Sequence, residues 1–329
     1  MNASAPALEV RNLTTTFGGG RLTAVNDVSF TVRAGEVLGL VGESGSGKSV
    51  TLRSIMRLVP ASGSVSGYVY WQGRDILTMS GADLRGVRGG QISMIFQEPM
   101  TALNPVLPVF TQIEENLKAH TGLDRAGRAA RARDLMDLVG IPDAARRLKE
   151  YPHQFSGGMR QRVMIAIALA SNPKLLLADE PTTALDVTIQ DQILKLILDL
   201  RDELSMSVVL VTHDLGVVAA TCDRMAVMYA GRIVETGTVA EVFAQPNHAY
   251  TRGLLGSVPH AGTERSMLLS IEGTPPPLDR IPTGCAFNPR CEFATEPCRA
   301  RVPELEEIAP ARRIACFNRE AVAAAGSPV

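Results

Sequence analysis

The stretch "GESGSGKS" (Gly42–Ser49) constrains this chain more than any other, because it fits the pattern G-x-x-x-x-G-K-[ST]. It follows "GEVLGLVG" (Gly35–Gly42), which is typical of a buried strand, and it precedes Ser49–Leu58, which is typical of a helix. The glycines let successive backbone N–H groups converge on phosphate groups, and the start of a helix adds favourable potential. Strand, loop and helix together predict a phosphate-binding loop.

This loop supplies most of the predicted nucleotide-binding residues. Lys48 is expected to reach the β- and γ-phosphates, and Ser49 is expected to ligate Mg²⁺. A glycine-rich turn with an exposed lysine is the alternative, which the strand–loop–helix context disfavours. The predicted contacts in this segment are Gly42, Ser44, Gly45, Ser46, Gly47, Lys48, Ser49 and Val50.

The order of predicted elements indicates an α/β chain with a mostly parallel sheet core. Strand-like and helical stretches alternate on both sides of a mainly helical region, from about Ile113 to Ala170. After Tyr250 the composition changes, and Glu272–Gly284 is too rich in Pro and Gly for a regular element. We therefore predict a nucleotide-binding domain over 1–250, with a helical subdomain at about 100–172, and a loop-rich, cysteine-containing extension over 251–329.

A second motif, "LLLADEP" (Leu175–Pro181), is an apolar run that ends in two carboxylates. A buried strand does not tolerate unpaired charges in its interior, but the carboxyl ends of strands are where α/β sheets bind ligands. Asp179 therefore suits the Mg²⁺ shell, and Glu180 suits a general base that acts on a water near the γ-phosphate. A solvated acidic turn is the alternative.

A third motif, "FSGGMRQR" (Phe155–Arg162), places Ser-Gly-Gly just before an apolar helical stretch. This predicts a second set of free N–H groups at a helix start, which is a second site for an anion. Two such sites in one chain make sense if the second serves a nucleotide held by another subunit.

Over roughly Leu8–Tyr250 the chain resembles the ATP-binding subunits of ABC transporters, which are phosphate-loop NTPases. The family signature S-G-G-x-x-Q stands here as Ser156, Gly157, Gly158 and Gln161. The glutamine of the Q-loop matches Gln97, the D-loop matches Ala184, Leu185 and Asp186, the switch histidine matches His213, and the adenine-stacking aromatic matches Phe17.

The resemblance implies a competent ATPase with assigned roles. Glu180, His213 and Gln97 would be catalytic, and Ser49, Gln97 and Asp179 would hold Mg²⁺ beside ATP. The signature residues would close on the nucleotide of a homologous ATPase subunit, in a head-to-tail dimer. A soluble ABC ATPase acting on DNA or ribosomes is the rival, but such chains usually fuse two cassettes or insert a coiled coil.

Longer stretches, among them "MIFQEPMTALNP" and "YPHQFSGGMRQRVMIA", resemble the dipeptide and oligopeptide importers of this family. "HAYT" (His248–Thr251) departs at Ala249 from the H-P-Y-T that opens the extension in that subfamily. The resemblance implies two permease subunits, which Glu98–Val109 would contact, and an extracytoplasmic binding protein. Nickel, glutathione or oligosaccharides are alternative cargoes, and the ATPase dimer can be a homodimer or, as we expect, a heterodimer.

Bulk properties agree with a peripheral role. The net charge of −1 argues against a general nucleic-acid binder. The N-terminal residues have no apolar stretch long enough for a signal peptide, and runs such as Val163–Ala170 are too short to span a bilayer. We expect a chain in the cytosol that works at the cytoplasmic face of the inner membrane.

Four of the five cysteines lie in the extension, spaced Cys285-x5-Cys291-x6-Cys298-x17-Cys316. In the cytosol such a group is more typical of metal ligands than of disulfides. Structural zinc sites usually have close cysteine pairs, which are absent here, so four thiolates suit an iron–sulfur cluster at least as well. The importer resemblance favours a [4Fe–4S] cluster, with zinc or free thiols as alternatives.

Overall fold

The computed structural model describes residues 6–97, 102–183, 185–257 and 271–327. The chain forms two compact units. The first unit comprises Met1–Leu77 and Val211–Val329, and the second comprises Thr78–Leu210. The phosphate loop and the extension therefore belong to one unit, although most of the chain separates them in sequence.

The strands of the described residues are β1 (Leu8–Phe17), β2 (Leu22–Val32), β3 (Val37–Val41), β4 (Gly63–Trp71), β5 (Arg74–Asp75), β6 (Ile92–Ile95), β7 (Leu175–Asp179), β8 (Ser207–Thr212), β9 (Arg224–Tyr229), β10 (Arg232–Thr238), β11 (Glu306–Ala309) and β12 (Arg312–Ile314).

The α-helices of the same residues are α1 (Lys48–Ile55), α2 (Gly81–Val87), α3 (Val109–His120), α4 (Arg125–Leu138), α5 (Ala144–Arg147), α6 (Gly157–Leu169), α7 (Val187–Leu204), α8 (Leu215–Thr221), α9 (Val239–Ala244), α10 (Ala249–Gly256), α11 (Glu296–Ala300) and α12 (Arg319–Ala324).

The first unit contains an antiparallel sheet in the order β2-β1-β4-β5. Leu8 and Val10 of β1 are buried, as alternation predicts. The register against β4 shifts between Arg11 and Thr14, where Asn12 adopts a φ of 49°. This irregularity moves the inward-facing position to Leu13, so the strand stays amphipathic across its bend.

The first unit also contains strands in the order β11-β12-β10-β9-β3. β3 and β9 are parallel, with Val41 opposite Val227, and every residue of both strands is buried. β9 and β10 are antiparallel, as are β10 and β12. The apolar run before the phosphate loop is therefore a central, fully covered strand.

The second unit combines strands in the order β8-β7-β6 with a helical region. β6 and β7 are parallel, with Ile92 opposite Leu175. The helices α3 to α6 follow between these two strands, and they bury apolar residues such as Ile113, Leu135 and Val163. The predicted α/β class is confirmed, and the strand pairs are a mixture of parallel and antiparallel.

The extension differs from a purely irregular tail. No helix or strand occurs over residues 272–284, as the Pro- and Gly-rich composition predicts. Beyond it, β12 pairs with β10 through Glu235↔Ile314 and Thr236↔Arg313. The extension therefore adds two strands to the same sheet that carries β3 and the phosphate loop.

Candidate functional site

The phosphate loop connects β3 to α1 in a conformation that depends on its glycines. Gly42 has a φ of 151° and Gly47, the N-cap of α1, has a φ of 103°. A Cβ atom at Gly42 would lie 2.2 Å from the Met228 carbonyl oxygen, and one at Gly47 would lie 2.5 Å from that of Ala24. Both positions therefore exclude a side chain by backbone conformation and by contact.

The Lys48 side chain is buried and lies along the inside of this loop. Its Nζ donates to the carbonyl oxygens of Gly42 at 2.7 Å and Glu43 at 3.0 Å, and it lies 3.5 Å from Ser46 Oγ. The ammonium group is thereby fixed next to the first turn of α1, where half-buried Ser49 and Val50 lie. A loop that leads into a helix start beside a fixed ammonium group suits a polyphosphate.

Two further predicted residues of the first unit lie at strand ends. Phe17 ends β1 and is half-buried, and a Cβ at Gly63 would come within 2.8 Å of its Cε1. His213 follows β8 and is exposed. It precedes Asp214, the N-cap of α8, whose Oδ1 accepts a hydrogen bond from the Gly216 N–H at 2.8 Å.

In the second unit the structure brings Gln97 and Glu180 together. Gln97 Nε2 donates to Glu180 Oε2 at 3.2 Å. Thr183, which the sequence analysis missed, donates its hydroxyl to the same oxygen at 2.7 Å. Glu180 has a left-handed φ of 47°, and Asp179, before it, is fully buried at the end of β7. A carboxylate on a strained backbone with two donors is oriented in advance, as general-base chemistry requires.

The signature residues begin α6 as predicted. Ser156 is the N-cap, and its Oγ accepts a hydrogen bond from the Met159 N–H at 3.3 Å. Gly158 lies against α7, because a Cβ there would come within 2.9 Å of Ile189 Cγ2. Gln161 is buried, and its Nε2 has no hydrogen-bond partner among the described residues.

The D-loop begins the neighbouring helix. Asp186 is the N-cap of α7, with its Oδ1 accepting from the Ile189 N–H at 2.9 Å, and Leu185 Cδ2 lies 3.8 Å from a Cβ built on Gly157. Ala184 lies outside the described residues, as do 98–101 of the predicted permease-contacting segment. Within the rest of that segment Val106 is 75 % exposed.

The cysteines of the extension line one small apolar cavity of about 10 Å³. Burial raises the pKa of Cys291 to about 12 and that of Cys316 to about 11, which makes their thiolates more costly to form. Metals bind thiolates rather than thiols.

The prediction of an iron–sulfur site at Cys285, Cys291, Cys298 and Cys316 is wrong. Across residues 6–97, 102–183, 185–257 and 271–327, no three His, Cys, Asp or Glu side chains are placed to hold a metal ion. The alternative of a zinc site is wrong for the same reason. The cysteines are free thiols, of which Cys298 is buried.

Among the residues that the structure describes, no helix has both the length and the apolar composition to cross a membrane.

Comparisons with known proteins agree with the geometry of the two nucleotide motifs. Residues 25–183 match the ABC transporter family, and residues 234–298 match the C-terminal region of oligopeptide/dipeptide transporters. The oligopeptide transport ATP-binding protein OppD of Salmonella typhimurium is 51 % identical over 313 residues, 94 % of this chain and 93 % of that protein. OppD of Escherichia coli is 50 % identical over 313 residues, with the same coverage of both chains.

A solved structure of similar fold is the ATP-binding cassette MJ0796, a dimer in a post-hydrolysis state bound to ADP and Pi. It has a TM-score of 0.63 and 30 % identity, and the match covers 70 % of this chain and 98 % of that one. The chain belongs to the ABC transporter family of ATP-binding cassettes. Within that family it falls in the oligopeptide/dipeptide branch, and it is an ATPase that uses ATP with Mg²⁺.

Proposed function

We propose that this chain is the ATP-hydrolysing subunit of an importer for di- and oligopeptides. The observation that carries the proposal is the carboxylate of Glu180, which accepts hydrogen bonds from Gln97 and Thr183. The same chain has a phosphate loop that contains Lys48. The match to the oligopeptide/dipeptide C-terminal region supports the peptide cargo. Hydrolysis would then drive separate permease subunits supplied by an extracytoplasmic binding protein, from the cytoplasmic face of the inner membrane.

In the proposed mechanism Glu180 accepts a hydrogen bond from the attacking water, which orients it, and then takes its proton. Lys48 stabilises the charge that develops on the γ-phosphate, and His213 contacts the same group. The oxygen donors suited to Mg²⁺ are Ser49, Gln97 and Asp179, whose hydroxyl, amide carbonyl and carboxylate match its preference for hard ligands. When bound, the ion neutralises charge on the phosphates. Phe17 offers a ring to adenine.

The exposed positions of Ser156 and Gly157, at the start of α6, support a role in trans. Helix N-termini attract anions, and here this end is turned toward solvent. We propose that these residues, with Gly158 and Gln161, close on the nucleotide of a homologous ATPase subunit. Val187, 75 % exposed, stands between Leu185 and Ile189, which lie against Gly157 and Gly158, and it would be covered in such a dimer.

The test is Glu180→Gln in the assembled transporter. Turnover of ATP should fall by roughly 10²–10⁴-fold, because the amide accepts no proton, while ATP binding persists. ATP-driven uptake of a labelled tripeptide into vesicles should fall with it, and the ATP-bound dimer should accumulate in size-exclusion experiments. The matched control is Glu203→Gln, on an exposed carboxylate of α7, which should leave all three readouts unchanged.

Near wild-type turnover in Glu180→Gln would show that Glu180 is not the general base. Active ATP hydrolysis without tripeptide uptake, but with uptake of nickel, glutathione or an oligosaccharide, would instead correct the cargo alone.

A further inference from the structure

The phosphate loop has a charged residue that the nucleotide chemistry does not use. Glu43 is the second residue of the loop, and its carboxylate points away from Lys48 to Arg290 of the extension. Arg290 Nη1 lies 2.8 Å from Glu43 Oε2, and Nη2 lies 3.0 Å from Oε1. This is a two-pronged ion pair, in which the guanidinium fork matches both carboxylate oxygens.

The pair is shielded from water on the arginine side. The Arg290 side chain is 6 % exposed and that of Glu43 is 27 % exposed. The guanidinium carbon lies 5.9 Å from the ring centre of Tyr229 and 5.8 Å from that of Phe287. A charge pair covered in this way is screened less by solvent than a surface pair, and breaking it leaves a carboxylate with one side desolvated.

Arg290 also orders the chain on its other side. Its Nε donates to the Glu272 carbonyl at 2.9 Å, and its Nη2 lies 3.3 Å from the carbonyl oxygens of Ile271 and Gly273. All three nitrogens of the guanidinium are thereby engaged. A lysine has no fork, so it cannot replace this set of contacts.

A second contact holds the backbone of the same loop residue. The Glu43 N–H donates to the Tyr250 hydroxyl at 2.7 Å, and Tyr250 is buried at the start of α10. The Glu43 carbonyl in turn accepts from Lys48 Nζ at 3.0 Å. One residue therefore joins the region after β10 to the lysine of the phosphate loop, through its side chain, its N–H and its carbonyl.

We propose that Arg290 is a positioning residue for ATP: the extension holds the phosphate loop in its nucleotide-binding form through the Arg290–Glu43 pair. The inference rests on the proposed function, in which the phosphate loop binds ATP. It gives the extension a role in the ATPase reaction that needs no metal, and it makes the affinity for ATP depend on the packing of residues 271–298.

The experiment measures the affinity of the full-length chain for ATP with Mg²⁺ by calorimetry, alongside its melting temperature. Arg290→Met keeps much of the apolar stem and removes the fork. We expect its ATP affinity to fall by roughly 10-fold, the effect of losing one charge-assisted contact that orients the loop. In the assembled transporter the KM for ATP should rise by a similar factor, with kcat changed less.

The control is Arg252→Met. Arg252 also packs on the extension, where it pairs with Glu292 at 2.9 Å, donates to the Gly326 carbonyl at 3.2 Å and lies 5.9 Å from the Phe293 ring centre. None of these partners belongs to the phosphate loop. This variant should lower the melting temperature through lost packing, yet leave ATP affinity within about twofold of wild type, since its ion-pair partner Glu292 is 68 % exposed and the pair is remote from the nucleotide loop.

A double-mutant cycle of Arg290→Met with Glu43→Gln tests whether Arg290 affects ATP binding through Glu43. If Arg290 acts through Glu43, the double variant should bind ATP no more weakly than the weaker single variant. Unchanged affinity in Arg290→Met, or equal losses in Arg290→Met and Arg252→Met, would overturn the inference.

If Arg290→Met does not fold, Arg290→Lys and Glu43→Gln decide the question, because the first keeps the charge and the second leaves the extension intact. Each should weaken ATP binding, and wild-type affinity in both would overturn the inference. A wild-type chain that binds no ATP would instead count against the proposed function.

Discussion

The phosphate loop, Gly42–Ser49, and the cysteine loop, residues 284–298, lie in the same unit, and each carries a pattern that predicts a ligand. In the phosphate loop the pattern specifies backbone conformation, because Gly42 and Gly47 stand where φ is positive and where a Cβ would strike a carbonyl oxygen. In the cysteine loop the pattern specifies only side-chain type. Its thiols lie around one small apolar cavity, and no three His, Cys, Asp or Glu side chains of the described residues are placed to hold a metal ion.

The two loops also differ in what orders them. The phosphate loop is organised by polar contacts, namely hydrogen bonds from Lys48 to its backbone and the ion pair of Glu43 with Arg290. The cysteine loop is organised by an aromatic core, in which the Phe287 ring centre lies 5.2 Å from that of Tyr229 and 5.4 Å from that of Tyr250. Residues that resemble a set of metal ligands can thus simply pack against a hydrophobic core. The comparison predicts that the two loops respond differently to substitution.

The largest effect should come from the phosphate loop. Gly47→Ala introduces a side chain at a φ of 103°, with its Cβ 2.5 Å from the Ala24 carbonyl oxygen. The loop must move, and we expect ATP affinity to fall by roughly 100-fold, which corresponds to about 3 kcal/mol of strain. Calorimetric titration with ATP and Mg²⁺ measures it.

Gly45→Ala is the matched control, since Gly45 also has a positive φ, of 80°, but nothing lies within 4 Å of a Cβ there. It carries the backbone strain without the contact and should lose less affinity. Equal losses in the two variants would mean that backbone conformation alone, and not the fit against Ala24, sets the shape of the loop.

The cysteine loop should respond to the loss of its aromatic residue and much less to the loss of a thiol. Phe287→Ala removes a buried ring, and we expect the free energy of unfolding of the first unit to fall by about 3–5 kcal/mol. Cys298→Ala, at a buried thiol with weak contacts to Thr295 and Asn318, should cost about 1 kcal/mol. Thermal and urea unfolding of full-length protein measure both.

A larger loss for Cys298→Ala than for Phe287→Ala would reverse this order. It would mean that the thiols, and not the aromatic rings, hold the segment together, and the distinction between the two loops would fail.

The sequence was sufficient to predict the structure where that structure depends on neighbouring residues. The strand–loop–helix around Lys48, the N-cap at Ser156 and the irregular course of residues 272–284 follow from glycine, proline and capping patterns, which act over a few residues. No local pattern indicates that Gln97 pairs with Glu180, because 83 residues separate them. The strand-end motif indicated Glu180 as a general base, but family resemblance alone put Gln97 in the catalytic set.

Long-range contacts were missed for a physical reason. β11, "EEIA", carries two charges and has no apolar alternation, so it becomes a strand only because β12 presents an edge to it. Arg290 and Glu43 are 247 residues apart, and nothing near either residue indicates the other. The cysteine spacing was misinterpreted because it contains no information on how the aromatic core places the thiols.

The smallest effect concerns His248, which packs against Phe287 with ring centres 5.9 Å apart. Burial lowers its pKa to about 4 from the usual 6.5. Between pH 6.5 and pH 4 the imidazole is therefore protonated in the unfolded chain but neutral in the folded chain. This residue makes the first unit less stable as pH falls through that range. At pH 5 the loss should be about 2 kcal/mol relative to pH 7. Buried Glu235, whose carboxylate accepts from the His248 N–H, has a raised pKa and acts in the opposite direction.

His248→Asn separates the two contributions, because asparagine keeps a side-chain cap for the Tyr250 N–H at the start of α10 but does not titrate. Glu235 remains in both proteins, so the difference between their unfolding free energies at pH 7 and pH 5 isolates the imidazole. His153→Gln, at an exposed histidine of the second unit, is the control and should keep the wild-type pH dependence. If His248→Asn loses as much stability as wild type between pH 7 and pH 5, the acid sensitivity lies elsewhere, and the core that orders the cysteine loop is indifferent to protonation.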